Sequence, residues 1–157
     1  MHQIYLGLGS NIGNREQWLE TTIDHLNNDN NISIENISPF IETEAVSSYT
    51  QPHFINAALK ARTIYTPYEL LDICESIEKE CNRTTKGLWA PRTIDIDVLF
   101  YDNQIINEER LQIPHPLIQD RLFVLDPLLK LAPDFIHPTL EKSIKTLHQE
   151  CQHVAHT

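Results

Sequence analysis

Two aspartates one residue apart, Asp95 and Asp97, interrupt an apolar run, IDIDVLFY over residues 94–101. Such a run predicts a strand, and successive strand side chains point to opposite faces. Asp95 and Asp97 therefore share one face and Ile94, Ile96 and Val98 the other, with the acidic Cα atoms about 6.6 Å apart by strand rise. Two ionised carboxylates this close repel unless something positive joins them. A divalent cation does so, and a site with few other protein oxygens suits Mg2+, which keeps water and phosphate oxygens in its shell. An edge strand with a solvated face, its acids paired with Arg92, would carry the same pattern. Upstream, Lys79, Arg83, Lys86 and Arg92 stand against one acid, Glu80, in a chain where acids otherwise prevail. Cations leading into a metal-binding pair are what phosphoryl transfer needs to neutralise a triphosphate and hold the reacting oxygens in line. A basic surface loop balancing an acidic protein is the competing reading.

Other motifs say less. Gly7, Gly9 and Gly13 are spaced GxGxxxG, which is not the dinucleotide fingerprint, and no GxxxxGK[ST] loop exists. Glycines leaving a strand read as a tight turn. His115 lies between Pro114 and Pro116 in a stiff loop, and by type alone is a surface histidine. Phe54 and Phe123 read by type as core residues. Cys74 and Cys81 fall in one apolar helical stripe and read as buried and structural. The tail group His148, His153, His156 and Cys151 mimics a metal site but sits at a polar terminus expected to fray.

The elements that must position these residues follow from periodicity and caps. Residues 2–8 read as a buried strand. Asn14–Asp29 reads as a helix, with Asn14 and Gln17 resembling a capping box and Trp18, Leu19, Thr22, Ile23 and Leu26 on one stripe. Residues 32–47 and 53–65 read as two strands separated by a polar loop and Pro52. Thr66 and Glu69 make a capping box with Pro67 at the first helical position, and Leu70, Cys74, Ile77 and Cys81 continue that helix. Residues 82–93 read as a loop. After the 94–101 strand come short pieces around five prolines, then an amphipathic helix near Leu140–His148. The order is β-α-β-β-α-β with a C-terminal extension. It predicts an α+β, ferredoxin-like, largely antiparallel sheet with two helices on one face, another small α+β sandwich being the alternative, in one domain spanning 1–157.

The 157 residues, 41% of them apolar, suffice for one packed core, and 22 acids against 12 bases give a net charge of −10. That balance argues against general binding to nucleic acid or anionic membranes. No apolar run approaches the ~20 residues a bilayer span needs. The first residues show no basic-then-apolar leader, and three cysteines without a CxxC pair exclude a disulfide scaffold. A cytoplasmic protein acting on small molecules is expected, of unassigned oligomeric state.

The segments YLGLGSNIGNRE (5–16), QPHFINAALK (51–60), WAPRTIDIDVLFYDNQIIN (89–107) and RLQIPHPLIQDRLFVLDPL (110–128) resemble 6-hydroxymethyl-7,8-dihydropterin pyrophosphokinases of folate biosynthesis. The match runs in order from about residue 3 to residue 139. The resemblance implies transfer of diphosphate from ATP, the co-substrate, to a pterin hydroxymethyl group, with AMP as the other product. It implies that Asp95 and Asp97 bind two Mg2+ ions. Arg83, Arg92, His115 and Arg121 would reach the phosphates, with Arg83, Arg92 and His115 catalytic, and Lys86 and Trp89 would belong to the ATP-binding set. Arg110 and the backbone near Val98 and Gln112 would hold the nucleoside. The pterin would stack between Phe54 and Phe123, with Asn56 on its edge and backbone around Thr43 and Val46 closing the pocket. Residues 44–52 and 82–92 would close over the substrates. Leu88 and Ala90 replace the family's Arg and Gly around Trp89, and Thr85 stands where an arginine is common. These departures leave, as alternative, an impaired paralogue that binds pterin or nucleotide with little turnover.

Overall fold

A computed structural model of the chain describes residues 1–11, 13–43, 53–82 and 94–155. The expected loops at 44–52 and 82–92 therefore lie almost wholly outside the described residues. Those described form a mixed α and β fold with an antiparallel sheet and four α-helices. Its strands are β1 (His2–Ser10), β2 (Ile32–Ile37), β3 (Ile41–Thr43), β4 (Phe54–Thr63) and β5 (Asp95–Tyr101). They run in the order β2-β4-β1-β5, with β3 also paired to β4. Every pairing is antiparallel. A small ribbon joins β6 (Ile106–Asn107) to β7 (Gln112–Ile113).

Helix α1 (Arg15–Asn27) starts where expected: the Gln17 N–H donates to Asn14 Oδ1 at 3.2 Å. Helix α2 (Pro67–Asn82) carries the predicted capping box. There the Thr66 N–H donates to Glu69 Oε1 at 2.9 Å and the Glu69 N–H to Thr66 Oγ1 at 3.2 Å. Both helices bury their stripes, Leu19 and Leu26 on α1 and Leu70, Cys74, Ile77 and Cys81 on α2, against one side of the sheet. Ile4, Leu6, Leu8, Ile55, Ala57, Leu59, Ile96 and Val98 meet them there. At roughly 1.5–3 kcal/mol for each large side chain buried, this layer is the main source of stability. Burial pushes the Cys74 thiol up to about 12, helped by Glu78, Asp97 and Glu75, so it stays an inert thiol.

Three expectations are corrected. The 32–47 strand breaks at Ser38-Pro39 into β2 and β3: Ser38 takes over the ladder, exchanging N–H and Oγ bonds with Ala58 at 2.9 Å each. The proline-rich extension contains a whole helix, α3 (Leu122–Leu131), with Pro127 inside it. Packing overrides the missing N–H, since Val124, Leu125, Pro127 and Leu128 are all buried. The last helix, α4 (Ile144–Ala155), begins four residues late and does not fray at His148. A turn precedes it, in which Thr139 and Leu140 N–H groups donate to His137 Nδ1 at 3.1 and 3.0 Å. Helices α3 and α4 cover the second sheet face through Tyr5, Ala58, Leu99 and Phe100. The two helices foreseen on one face are thus joined by two more on the other.

Candidate active site

Strand register brings the chemistry-bearing residues into rows. Gly9 pairs with Asn56 on one side and with Asp95 on the other, and Gly7 pairs with Ala58 and Asp97. Paired residues of adjacent strands share a face, so Asp95, Asp97, Gly7, Gly9 and Asn56 line the side of the sheet opposite α1 and α2. Across Gly9, the Cα atoms of Asp95 and Asn56 stand about two strand spacings, roughly 10 Å, apart. Next along the row Asn56 pairs with Ile41, and Phe54 with Thr43. The predicted alternation of Asp95 and Asp97 against Ile96 and Val98 is present: the aspartates are part-exposed and the aliphatics buried.

His115 joins this face. Its N–H donates to the Leu99 carbonyl at 3.1 Å, and its Nε2 lies 4.0 Å from Asp97 Oδ1. Leu117 donates its N–H to His115 Nδ1 at 3.3 Å. A neutral ring accepting at Nδ1 carries its proton on Nε2, the nitrogen facing Asp97. Burial lowers the imidazole pKa, Asp97 opposes that, and the Arg121 charge lowers it further. His115 is therefore set up as a neutral donor beside the carboxylates. Arg121 caps the start of α3 with its guanidinium 5.4 Å from the Phe123 ring centre, and α3 itself packs on β4 and β3.

Arg110 lies apart from this row, toward α2, and Gln112 sits on β7 paired with Asn107 of β6. Arg110 donates to Asp72 at 2.5 Å and Glu75 at 2.8 Å, and sits over the Tyr68 ring. Tyr68 in turn donates to Glu108. Asp72, Glu75, Ser76, Lys79, Glu80 and Arg110 line a cleft of about 320 Å3. The Val98 side chain points into the core, leaving only its backbone for a ligand. Val46, Arg83, Lys86, Trp89 and Arg92 lie outside the described residues.

Sequence reasoning missed two features here. Gly7 and Gly9 are not a turn but the interior of β1, the bare floor between Asn56 and the aspartates. Beyond Gly9, Ser10 and Asn11 are buried at 0% and 1% exposure. Among the described residues, the Ser10 hydroxyl and both Asn11 amide atoms have no hydrogen-bond partner. A glycine pair in phase with the alternation of a strand was the available signal for the floor. The orphaned polar groups had none.

Residues 5–133 match the family model described as 7,8-dihydro-6-hydroxymethylpterin-pyrophosphokinase (HPPK). The chain is 39% identical over 150 residues to the 2-amino-4-hydroxy-6-hydroxymethyldihydropteridine pyrophosphokinase of Aquifex aeolicus, covering 96% of this chain and 92% of that one. It is 45% identical over 131 residues to the bifunctional protein FolKE of Lactococcus lactis subsp. cremoris, covering 83% of this chain and 38% of that longer protein. The solved wild-type HPPK-DHPS of Plasmodium falciparum shares the fold with a TM-score of 0.73 at 17% identity, over 95% of this chain and 41% of that one.

Proposed function

Because the chain belongs to the 7,8-dihydro-6-hydroxymethylpterin-pyrophosphokinase family, we infer that it transfers diphosphate from MgATP to 6-hydroxymethyl-7,8-dihydropterin in folate biosynthesis. The hydroxymethyl oxygen bonds to the β-phosphorus, its hydroxyl proton passing to solvent, as the bond from that phosphorus to the α-phosphate oxygen breaks, giving AMP and the pterin diphosphate. The observation that carries the assignment of the site is the register row Asp95, Gly9, Asn56. It sets a carboxylate pair and a carboxamide on one face, with only glycine backbone, Gly7 and Gly9, between them.

The donor set fits a hard cation. Two carboxylates alternate on one strand, and no group of three or more His, Cys, Asp or Glu forms among the described residues. Such a site leaves the remaining positions to water and phosphate oxygens. Asp95 and Asp97 hold two Mg2+ ions in this reading, and the metal supplies charge neutralisation along the triphosphate. The protein then acts chiefly by alignment, since phosphoryl transfer asks little covalent chemistry of it. In this reading His115 donates a hydrogen bond from its Nε2–H to a phosphate oxygen, and Arg121 adds charge from the start of α3. Arg83 and Arg92 complete the phosphate contacts at the transferred group, and Lys86 and Trp89 join the ATP site.

The cleft beside Arg110 suits the nucleoside. Its acids, Asp72, Glu75 and Glu80, outnumber Lys79 and Arg110, so it disfavours phosphate and offers acceptors to sugar hydroxyls. Arg110, held by two carboxylates, Gln112 and the Val98 backbone position the base and sugar. Phe54 and Phe123 stack on the pterin, Asn56 reads its edge with one donor and one acceptor, and backbone at Thr43 and Val46 closes the pocket.

We read the strand order β2-β4-β1-β5, with α1 and α2 on one face, as the ferredoxin-like arrangement with β3 added. Residues 1–157 then form one pyrophosphokinase domain. Among the described residues no helix is long and apolar enough to cross a membrane. A cytoplasmic enzyme with small-molecule substrates and no nucleic-acid partner follows from the charge and the reaction. No observation favours the impaired paralogue, and the chain carries Asp95, Asp97 and His115, which this reading uses.

Incubating the protein with MgATP, with and without 6-hydroxymethyl-7,8-dihydropterin, tests the reaction. Pterin-dependent AMP is expected. ADP formation, or nucleotide loss that ignores the pterin, overturns diphosphate transfer.

A further inference from the structure

We propose that Gly9 is a positioning residue for pterin recognition: its missing side chain lets the Asn56 carboxamide lie over β1, in the orientation that reads the ring edge. The inference rests on the pyrophosphokinase reading for the identity of the ligand.

Glycine inside a central strand is unfavourable, because it loses more backbone freedom on folding and packs nothing. β1 is such a strand, paired with β4 on one side and β5 on the other. Conformation does not call for glycine here, since among the described glycines the positive φ belongs to Gly13. Space does. A Cβ at Gly9 would stand 2.7 Å from Asn56 Oδ1, 3.8 Å from its Cγ and 3.9 Å from Phe54 Cδ1. The first distance lies well inside the roughly 3.3 Å of close carbon–oxygen contacts. Gly7, on the same face, differs. The three atoms nearest a Cβ there all belong to Leu99, at 3.4 to 3.6 Å, which is ordinary contact with an aliphatic side chain.

The contact that closes Gly9 to a methyl group is thus the amide oxygen of Asn56. A methyl group at residue 9 is accommodated by turning or displacing a short side chain, which leaves the sheet intact. The turn redirects the amide's oxygen and nitrogen. A ring edge bearing both donors and acceptors is then left with unpaired polar groups, which costs binding more than the loss of apolar area does.

The experiment is a double-mutant cycle of Gly9→Ala and Asn56→Ala. Pterin binding is measured in the presence of a non-hydrolysable MgATP analogue, analogue binding is measured separately, and the side-chain amide NMR signal of Asn56 is followed. Gly9→Ala is expected to weaken pterin binding by about tenfold or more, with analogue affinity and melting temperature nearly unchanged and the Asn56 amide signal displaced. In the Asn56→Ala background the same substitution should add almost nothing. Equal pterin affinity for wild type and Gly9→Ala, or full additivity of the two losses, overturns the proposal. If Gly9→Ala fails to fold while the Asn56→Ala, Gly9→Ala double variant folds, the Gly9–Asn56 contact is supported through stability. If both fail, the role is structural and the proposal falls. A wild-type protein that binds no pterin overturns the functional reading, and the displaced Asn56 amide still reports the steric coupling.

Discussion

The two faces of the central sheet are made by the same strands and follow opposite rules. Toward α1 and α2, β1 presents Ile4, Leu6 and Leu8, β4 presents Ile55, Ala57 and Leu59, and β5 presents Ile96 and Val98. Turned over, the same three strands present Gly9, Asn56 and Asp95 at one end and Tyr5, Leu99 and Phe100 under α3 and α4 at the other, with the row of Ala58, Gly7 and Asp97 between them. The first face spends each position on packing. The second divides its length, with half anchored by the C-terminal helices and half left low and polar. One strand can therefore serve stability and chemistry at once because its period is two. Substitutions on neighbouring residues should then fail in different assays.

The largest expected effect tests the polar half. If Asp97 holds Mg2+ as proposed, Asp97→Ala should lower AMP formation by roughly a thousandfold or more, since a metal clamp contributes several kcal/mol and each 1.36 kcal/mol is a factor of ten. Circular dichroism and melting should show the fold retained. Unchanged turnover would remove the carboxylates from the metal site. The opposite face should behave inversely. Leu59 is fully buried, and Leu59→Ala should cost about 2–5 kcal/mol in urea unfolding. Substrate affinities of the fraction that stays folded should hardly move. A loss of pterin affinity without a loss of stability would break the division between the faces.

At the boundary between the two halves lies Phe123, half-buried beside the Arg121 guanidinium. Phe123→Ala should weaken pterin binding about three- to tenfold, the scale of one aromatic stacking contact, and leave MgATP-analogue binding largely alone. Equal losses for both ligands would take away its stacking role.

The anchored half has its own signature in pH. His137 is buried against Phe100, their rings 5.5 Å apart, and its Nδ1 accepts two backbone N–H groups. Burial lowers its pKa below the ordinary 6.5. The unfolded chain therefore takes up a proton first. This contribution to stability is complete above about pH 6.5 and is lost as pH falls toward the folded-state pKa. His137→Asn should flatten the fall in stability between roughly pH 7 and pH 5 relative to wild type. Parallel curves would mean that the ring is not neutral in the fold.

How much of this was legible in the sequence depends on range. The alternation of Asp95 and Asp97, the capping box of Thr66 and Glu69 and the stripe through Cys74 are local patterns, and all three appear. The break at Ser38 was hidden because it depends on Ala58, twenty residues away in sequence. Helix α3 was hidden because Pro127 argues against it locally and only burial on the sheet overrules that. In the site, the carboxylate pair announced itself by spacing. His115, Asn56 and Phe123 became candidates as a set only through the family resemblance, for nothing near them in sequence marks their use. Gly9 was misread as a turn residue, because a glycine in the chain looks the same whether it is needed for φ or for room.

The smallest expected effect probes the seam where β1 leaves the packed face. Ser10 is fully buried, and among the described residues its hydroxyl has no partner. A buried hydroxyl stripped of water and unpaired costs free energy, whereas the methyl group of alanine fills nearly the same volume without that penalty. Ser10→Ala should therefore raise the unfolding free energy by up to about 1 kcal/mol in urea titration of the ligand-free protein. Stability would then have been given up beside the site for a polar group that the folded chain alone does not use. The same titration with pterin and the MgATP analogue separates two reasons for it. If the gain vanishes when ligands are bound, the hydroxyl acquires its partner in the complex. If the gain persists, Ser10 serves neither packing nor binding, and the division between the faces extends no further along β1 than Gly9.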